Sequence, residues 1–305
     1  MSDVAVDRPE VARRKFRLRR NPWSRPRFLA LFTWAYIFWS LVPVVIAVQF
    51  SFNEGRSRST WQGFSMQWYT GDPELSVLHN PVLRAAMIQS LKLAALTMLI
   101  AAPIGVALAI GLARWRGRGA RAGNFMMLFP LVTPEIVMGS ALFLTFVYLL
   151  TFVRLGTVAQ LIGHITFSIS YVVIVVRARL FAIGPEYEEA AMDLGASPTQ
   201  ALRLVLLPML MPAIIASLMI VFAISIDDFV ISAFLKGGQN TETVPVLIYS
   251  TARAAPNPSL NAVATVMLVL SLVAITLAVL VQRHFSTGDR KRKGAAVEDF
   301  ARLEI

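Results

Sequence analysis

Three acidic residues stand inside stretches of sequence that are otherwise apolar. Glu135 follows the segment FPLVTP, and Asp227 and Asp228 are adjacent within FAISIDDFVISAFL. A carboxylate in an apolar environment is costly unless it meets a cation, water or a proton, so an acidic residue at membrane depth is first a functional candidate. Nearby aromatic rings would add cation–π attraction for an organic cation. The three residues are therefore predicted to line a passage for a cationic solute.

Other roles for these acids and for one histidine remain open. Adjacent residues of a helix point about 100° apart, so at most one of Asp227 and Asp228 should face a passage squarely. Both could instead cap the end of a helix at head-group level. His164, in another apolar stretch, could pair with Glu135 or be a hydrogen-bonded residue of the core. The three histidines lie far apart, and the absence of cysteine excludes disulfides, thiolate ligands and a thiol nucleophile.

Long apolar stretches must position these side chains. The chain has 305 residues, of which 56% are hydrophobic and 15% charged, whereas soluble proteins carry about 25% charged residues. A helix that crosses a bilayer needs about 20 apolar residues, and prolines inside several of the stretches predict kinks. The sequence therefore predicts an all-α membrane protein with six transmembrane helices, at residues 28–50, 86–113, 123–151, 158–181, 204–235 and 260–282.

The distribution of basic residues predicts the orientation. The net charge is +11, and Lys and Arg cluster in the leader, in the second-to-third and fourth-to-fifth connections, and in the tail. Such clusters mark the cytoplasmic side of a membrane protein, which explains the charge without nucleic-acid binding. We expect both termini in the cytoplasm, and three parts: a basic arm 1–27, a six-helix domain 28–285 and a tail 286–305.

The first long external connection is rich in aromatic residues and allows two interpretations. An aromatic belt at the membrane interface is one, and a surface that meets an external partner is the other. The residues concerned are Trp61, Phe64, Trp68 and Tyr69.

The connection between the fourth and fifth apolar stretches, residues 184–208, has the pattern of a rigid helical bracket. Gly195 can end a first helix, and Ser197 can cap a second one that runs into the membrane. Carboxylates in the first turn suit the positive end of a helix dipole: Glu186, Glu188 and Glu189. A stiff bracket can transmit force, whereas the alternative is an ordinary helix at the membrane interface.

Seven residues of this bracket resemble the EAA loop of ABC importer permeases. That pattern is E-A-A, three residues, G, nine residues, I, one residue, L-P, and only Val for Ile departs from it: Glu189, Ala190, Ala191, Gly195, Val205, Leu207 and Pro208. The resemblance implies a coupling helix that docks on an ATP-hydrolysing subunit. The residues expected to couple are Glu186, Glu189, Ala190, Ala191, Asp193 and Gly195.

The chain has no G-x-x-x-x-G-K-[ST] phosphate loop. We therefore expect no catalytic residue, metal or cofactor in this chain, with ATP bound and hydrolysed by a separate subunit.

Segments along most of the chain resemble the second permease of spermidine/putrescine importers. They are SFN at 51–53, WY at 68–69, SIDDF around Asp227, and the run at 244–265. The resemblance implies the MetI-like fold of type I importers in a bacterial inner membrane, and inward polyamine transport by alternating access. It also implies three partners: an ATPase dimer, a second homologous permease and an extracytoplasmic solute-binding protein.

Three alternatives stay open at this point. The same architecture could import another small solute, an ion-coupled carrier could share the six helices, or the chain could be a membrane anchor. An ion-coupled carrier often has inverted repeats, and none is recognisable here. The EAA pattern disfavours both the carrier and the anchor.

Overall fold

The computed structural model of the chain describes residues 27–57, 60–115, 117, 119–254 and 258–303, with the backbone alone after residue 282. Apart from Arg27, the predicted basic arm lies outside the described residues. Contacts divide the chain into two units, residues 1–46 and 47–305. Helix α1, Arg27–Ser51, is apolar throughout and carries Pro43 in its interior.

Within the described residues, five helical segments are long and apolar enough to cross a membrane. They are Phe28–Ser51 in α1, α2 (Pro81–Arg114), α6 (Thr157–Ile183), the continuous segment Pro198–Asp227, and Pro258–Gln282 at the start of α12 (Pro258–Leu303). A sixth crossing is formed if the bent pair Ala120–Val132 and Glu135–Leu149 counts as one span. The predicted all-α class is confirmed, and α12 continues as a helix through most of the predicted tail.

The third apolar stretch is not the uninterrupted helix that the sequence suggested. It comprises α3 (Ala120–Met126), α4 (Phe129–Val132) and α5 (Glu135–Leu144), and the chain bends by 104° between the segments before and after residue 133. Pro134 is the cause, because proline disfavours helical geometry in the residue before it. Thr133 and Pro134 are accordingly extended, with ψ of 126° and 135°. Glu135 therefore begins a new helix.

The fifth apolar stretch is also broken where one helix was expected. A short helix α8 (Pro198–Ala201) leads through a π-helical turn into α9 (Leu207–Asp227), and a separate helix α10 (Val230–Phe234) follows. The π-helical turn, Leu202–Leu206, precedes Pro208, which has no N–H to donate. Asp228 is extended, with ψ of 118°. The break thus falls at the predicted acidic pair.

Helices α2, α6 and α9 pack against one another at the centre of the bundle. Their shared core is aliphatic and includes Val172, Val176, Leu210 and Val221, which are fully buried. Gly105 allows α2 to approach α6, since a Cβ atom there would lie 2.6 Å from Cβ of Val172. Close packing of this kind holds membrane helices together where no water-driven hydrophobic effect operates.

The connection between α1 and α2 is folded, and Trp68 in it belongs to the core. Trp68 is 2% exposed and its indole N–H donates to the Asn53 carbonyl at 2.6 Å. The hydroxyl of Tyr69 bonds that of Ser51 at 2.7 Å. Trp61 and Phe64 are exposed. Trp68 is therefore not available for an interfacial belt or an external partner, whereas Trp61 and Phe64 are.

Candidate functional site

The two broken spans bring the three predicted acids to one cavity. This cavity has a volume of about 400 Å³. Glu135 is the first residue of α5, Asp227 is the last residue of α9, and Asp228 follows it in the connection to α10. The remaining lining residues are aromatic or aliphatic: Phe167, Tyr171, Ala223, Ile224, Phe229 and Val230. The third and fifth spans thus each contribute acidic groups from a helix end.

Asp228 is the most constrained of the three acids. Its side chain is 6% exposed, and Oδ2 accepts hydrogen bonds from the N–H of Ser232 at 2.8 Å and lies 3.2 Å from Nε2 of His164. The Oδ1 atom accepts from the N–H of Ile231 at the longer distance of 3.4 Å. Asp228 therefore caps α10 and also lines the cavity.

Glu135 and Asp227 differ from Asp228 in having exposed side chains. In the part of the chain that the structure describes, neither carboxylate has a hydrogen bond or an ion pair to a protein group. Their acceptor sites are therefore available to a ligand, and an uncompensated carboxylate attracts a cation strongly where water is scarce. His164 contacts Asp228 and not Glu135, so the suggested pairing of His164 with Glu135 is wrong.

Aromatic rings form one wall of the cavity. Phe167 and Tyr171 make an edge-to-face pair with centroids 5.5 Å apart on α6. Phe229 lies 4.6 Å from the ring of Tyr249, on the helix α11 (Val244–Ala254), and the guanidinium of Arg253 lies 4.4 Å above Tyr249. Ring faces carry negative electrostatic potential and attract organic cations. A second cavity, about 390 Å³, has no charged residue and is lined by groups such as Phe52 and Leu270.

At the other end of α6, the predicted bracket has the expected local geometry. Helix α7, Glu186–Asp193, begins just after Pro185 and carries all three predicted glutamates in its first turn. Gly195 has φ of +90°. The N–H of Gly195 donates to the carbonyl of Met192 at 2.9 Å, and that of Ala196 to Ala191 at 3.0 Å. This is a Schellman end of a helix, for which glycine is the favoured residue.

The second half of the bracket is fixed by a capping box. Ser197 Oγ accepts from the N–H of Gln200 at 3.3 Å, and Gln200 Oε1 accepts from the N–H of Ser197 at 2.8 Å. Pro198 is the first helical residue, where its missing N–H costs nothing. The chain then continues without a break to Asp227. The bracket and the acidic pair therefore lie at opposite ends of one helical segment.

The surface of the bracket combines acidic and apolar groups. Glu186, Glu189, Ala190, Asp193 and Gly195 are exposed. Ala191 is half-buried, and Glu188 pairs with Arg114 at the end of α2. The apolar side chains of Tyr187, Met192 and Leu194 are also exposed, Leu194 by 91%. Exposed apolar side chains grouped in this way are typical of protein interfaces.

Sequence reasoning missed several residues of both regions. His164, Phe167 and Tyr171 follow a spacing of three and four residues, which places them on one face of a helix. That spacing could have identified the aromatic wall. The pairing of His164 with Asp228, and of Arg114 with Glu188, joins residues more than sixty positions apart, and no local pattern signals such contacts.

The described residues form a bundle of apolar helices in which two broken spans bring acidic groups to one cavity. The chain belongs to the family of binding-protein-dependent transport system inner membrane components, the permeases of ABC importers, whose family model matches residues 101–290. It is accordingly a multi-pass protein of the bacterial inner membrane.

Relatives refine this assignment. The spermidine/putrescine transport system permease protein PotC of Haemophilus influenzae is 35% identical over 250 residues, which cover 82% of this chain and 93% of the relative. The putrescine transport system permease protein PotI of Escherichia coli (strain K12) is 36% identical over 254 residues, which cover 82% and 86%. The resemblance to the polyamine permease family is confirmed.

Solved structures confirm the fold of ABC importer permeases. A chain of a bacterial ABC transporter involved in the import of the acidic polysaccharide alginate has a TM-score of 0.67 at 17% identity, covering 85% of this chain and 96% of that one. A chain of the inward-facing MetNI methionine ABC transporter has a TM-score of 0.54 at 17% identity, covering 66% and 93%.

Proposed function

We propose that this chain moves polyamines, such as putrescine and spermidine, inward across the membrane by alternating access. The observation that carries the proposal is the cavity where Glu135 and Asp227 lie beside an aromatic wall. Among the described residues, neither carboxylate has a hydrogen bond or an ion pair to a protein group. Polyamines are flexible organic cations, which match carboxylates by charge and aromatic faces by cation–π attraction. The relatives named for spermidine and putrescine support the same solute class.

The energy for transport comes from a separate ATPase dimer that docks on the bracket, and ATP is bound there and not by this chain. Glu186, Glu189 and Asp193 supply negative charge, and Leu194 an exposed apolar anchor. Ala190 and Ala191 are small enough to let the partner surface approach closely, and Gly195 forms the turn. Closure of the ATPase dimer moves α7, and α8 and α9 carry that movement to the cavity.

The remaining partners complete the pathway. A second, homologous permease closes the other side of the passage, and an extracytoplasmic binding protein delivers the solute. With the basic connections in the cytoplasm, α7 faces the cytoplasm and the cavity lies toward the outside. A solved complex of the bacterial alginate ABC transporter with an alginate-bound periplasmic protein, whose permease fold resembles this one, is consistent with this arrangement.

Replacing Gly195 by Val should uncouple ATP hydrolysis from uptake. The backbone at Gly195 has φ of +90°, a conformation that costs an L-residue about 1–2 kcal/mol, while a Cβ atom there meets nothing within 4 Å. The effect is therefore confined to the turn, and solute moved per ATP hydrolysed should fall by about five- to thirtyfold. Uptake and ATPase rates of the reconstituted complex measure it.

Gly111→Val is the matched control for this substitution. Gly111 lies in the last turns of α2, and a Cβ atom there also meets nothing within 4 Å. Its backbone is ordinary helix, so this variant should couple as the wild type does. Wild-type coupling in Gly195→Val would show that the turn is not needed for transmission.

Competitive uptake into vesicles that contain the whole importer tests the solute class. ATP-driven uptake of radiolabelled putrescine should be inhibited by unlabelled spermidine and putrescine, and not by a neutral sugar or a dicarboxylate. Uptake driven by an ion gradient without ATP would favour a secondary carrier. ATP-driven uptake of a neutral or anionic solute alone would leave the importer class standing and remove the polyamine assignment.

A further inference from the structure

Two buried polar clusters of the protein meet at Ser232. Its N–H donates to Oδ2 of Asp228 at 2.8 Å, its Oγ lies 3.0 Å from Nε2 of His164, and its carbonyl accepts from Nε2 of Gln160 at 3.0 Å. Ser232 is 0% exposed, and His164 and Gln160 are 2% and 0% exposed. All three polar groups of one residue are therefore used, in a region that water does not reach.

The contacts of His164 indicate which of its ring nitrogens carries hydrogen in the neutral form. Nε2 faces the Asp228 carboxylate at 3.2 Å, and a carboxylate can only accept, so Nε2 carries hydrogen. Nδ1 lies 2.8 Å from the hydroxyl of Ser225. In the neutral ring Nδ1 accepts from that hydroxyl. Ser225 thus orients the imidazole, and the imidazole orients Asp228.

The second cluster ties Ser232 to two spans. Gln160 on α6 donates to the carbonyls of both Ser232 and Thr241, the latter at 2.9 Å. Gln89 on α2 donates to Oε1 of Gln160 at 2.8 Å and to the hydroxyl of Thr157 at 3.0 Å. A satisfied polar network in a dry interior fixes a single arrangement, because each member would be costly to leave unpaired. The α10 segment is therefore held at both ends.

We propose that His164 is a positioning residue for the solute cavity. Together with Ser232 it holds Oδ2 of Asp228, so that Oδ1, whose contact with the N–H of Ile231 is long at 3.4 Å, is presented to the cation. Glu135 and Asp227 meet the solute directly, and His164 acts on it only through Asp228. This inference rests on the proposed function of the cavity as a cation path.

A double-mutant cycle on His164 and Asp228 tests the proposal. His164→Gln should lower polyamine uptake by about tenfold, the usual effect of losing a residue that orients a ligand group, while the ATPase rate without solute stays within about twofold. Because His164 acts through Asp228, the same substitution in an Asp228→Asn background should add less than about twofold. A further tenfold loss in that background would overturn the proposal.

His79→Gln is the matched control. His79 also bonds a serine through Nδ1, at 2.9 Å from Ser76 Oγ, but it lies in the external connection away from the cavity. Its uptake should equal that of the wild type. If the His164→Gln chain fails to reach the membrane, Ser225→Ala replaces it in the cycle, since Ser225 contacts His164. Ser225→Ala is then expected to lower the uptake rate several-fold, but not in the Asp228→Asn background. The proposal is contradicted if Ser225→Ala leaves the uptake rate unchanged, or if it lowers the rate by the same factor in both backgrounds.

A second readout does not depend on which solute is carried. The chain has no cysteine, so Ala223→Cys places a single thiol in the cavity wall. The ratio of its labelling rates with a cationic and a neutral methanethiosulfonate of similar size reports the charge in the cavity. Asp228→Asn should lower this ratio on the order of fivefold.

His164→Gln should also lower the labelling ratio, since it removes the contact that fixes the position of the Asp228 carboxylate. The two substitutions together should lower the ratio no further than Asp228→Asn alone. If the two substitutions lower the labelling ratio by independent factors that multiply in the double variant, the positioning role is rejected even if polyamines are carried. Absence of polyamine uptake with a non-additive labelling cycle would instead reject the solute and keep the role of His164.

Discussion

Replacing Glu189 by Arg is expected to abolish ATP-driven uptake while leaving the chain inserted in the membrane. The Glu189 side chain is exposed and makes no hydrogen bond within the described residues, so the substitution should not disturb α7 itself. At a docking surface, loss of a charged partner costs about 2–5 kcal/mol. Reversal of the charge should therefore weaken binding of the ATPase by a factor of at least about thirty, and uptake should fall correspondingly.

Co-purification of the ATPase with the permease measures this effect directly. Glu74→Arg is the matched control, because Glu74 is likewise exposed but lies in the connection before α2. Its complex should retain the ATPase in full. A Glu189→Arg chain that retains both the ATPase and uptake would show that the bracket does not couple through this residue.

Removing both unpartnered carboxylates of the cavity should produce the other large effect. Glu135→Gln and Asp227→Asn keep the size of each side chain and remove its charge. A charged hydrogen bond contributes about 1.5–3 kcal/mol, so each substitution should slow putrescine uptake by roughly 10- to 150-fold, and the double variant more than either. Initial uptake rates, normalised to the amount of complex in the vesicles, give these factors.

The control for the carboxylate pair is Glu242→Gln, the same chemical change outside the cavity. Glu242 pairs with Lys236 at 2.9 Å near the protein surface, and pairs of this kind contribute about 0–1 kcal/mol. Its uptake should change by less than about threefold. If the Glu135 and Asp227 variants transport putrescine as well as this control, at low and high salt, neither carboxylate meets the solute.

Spans and caps could be predicted because their causes are local. Apolar length predicted six crossings; the described residues contain five, and a sixth if the bent pair counts as one span. The residue types at Gly195, Ser197 and Pro198 predicted the turn and the cap of the bracket, both of which the structure contains. Pro134 was visible as a possible kink. Its consequence was not, because whether a proline bends a helix or breaks it depends on how neighbouring helices satisfy the freed backbone groups.

Long-range pairing is the part that residue patterns could not supply. His164 was assigned to the core or to Glu135, and it lies against Asp228 because α6 and α9 pack through a shared aliphatic core. The meeting of Glu135 with Asp227 likewise depends on two helix breaks that occur about ninety residues apart in the chain and close together in space.

Sequence alone therefore determined the class of protein, its apolar spans and the EAA bracket. It also identified the acidic residues that are energetically costly at membrane depth. These depend on composition and on spacing within one element. Tertiary structure alone decided which acid is held by the protein and which two remain free, because that division follows from contacts between α6, α9 and α10. A carboxylate has the same chemistry at all three positions, and only its neighbours differ.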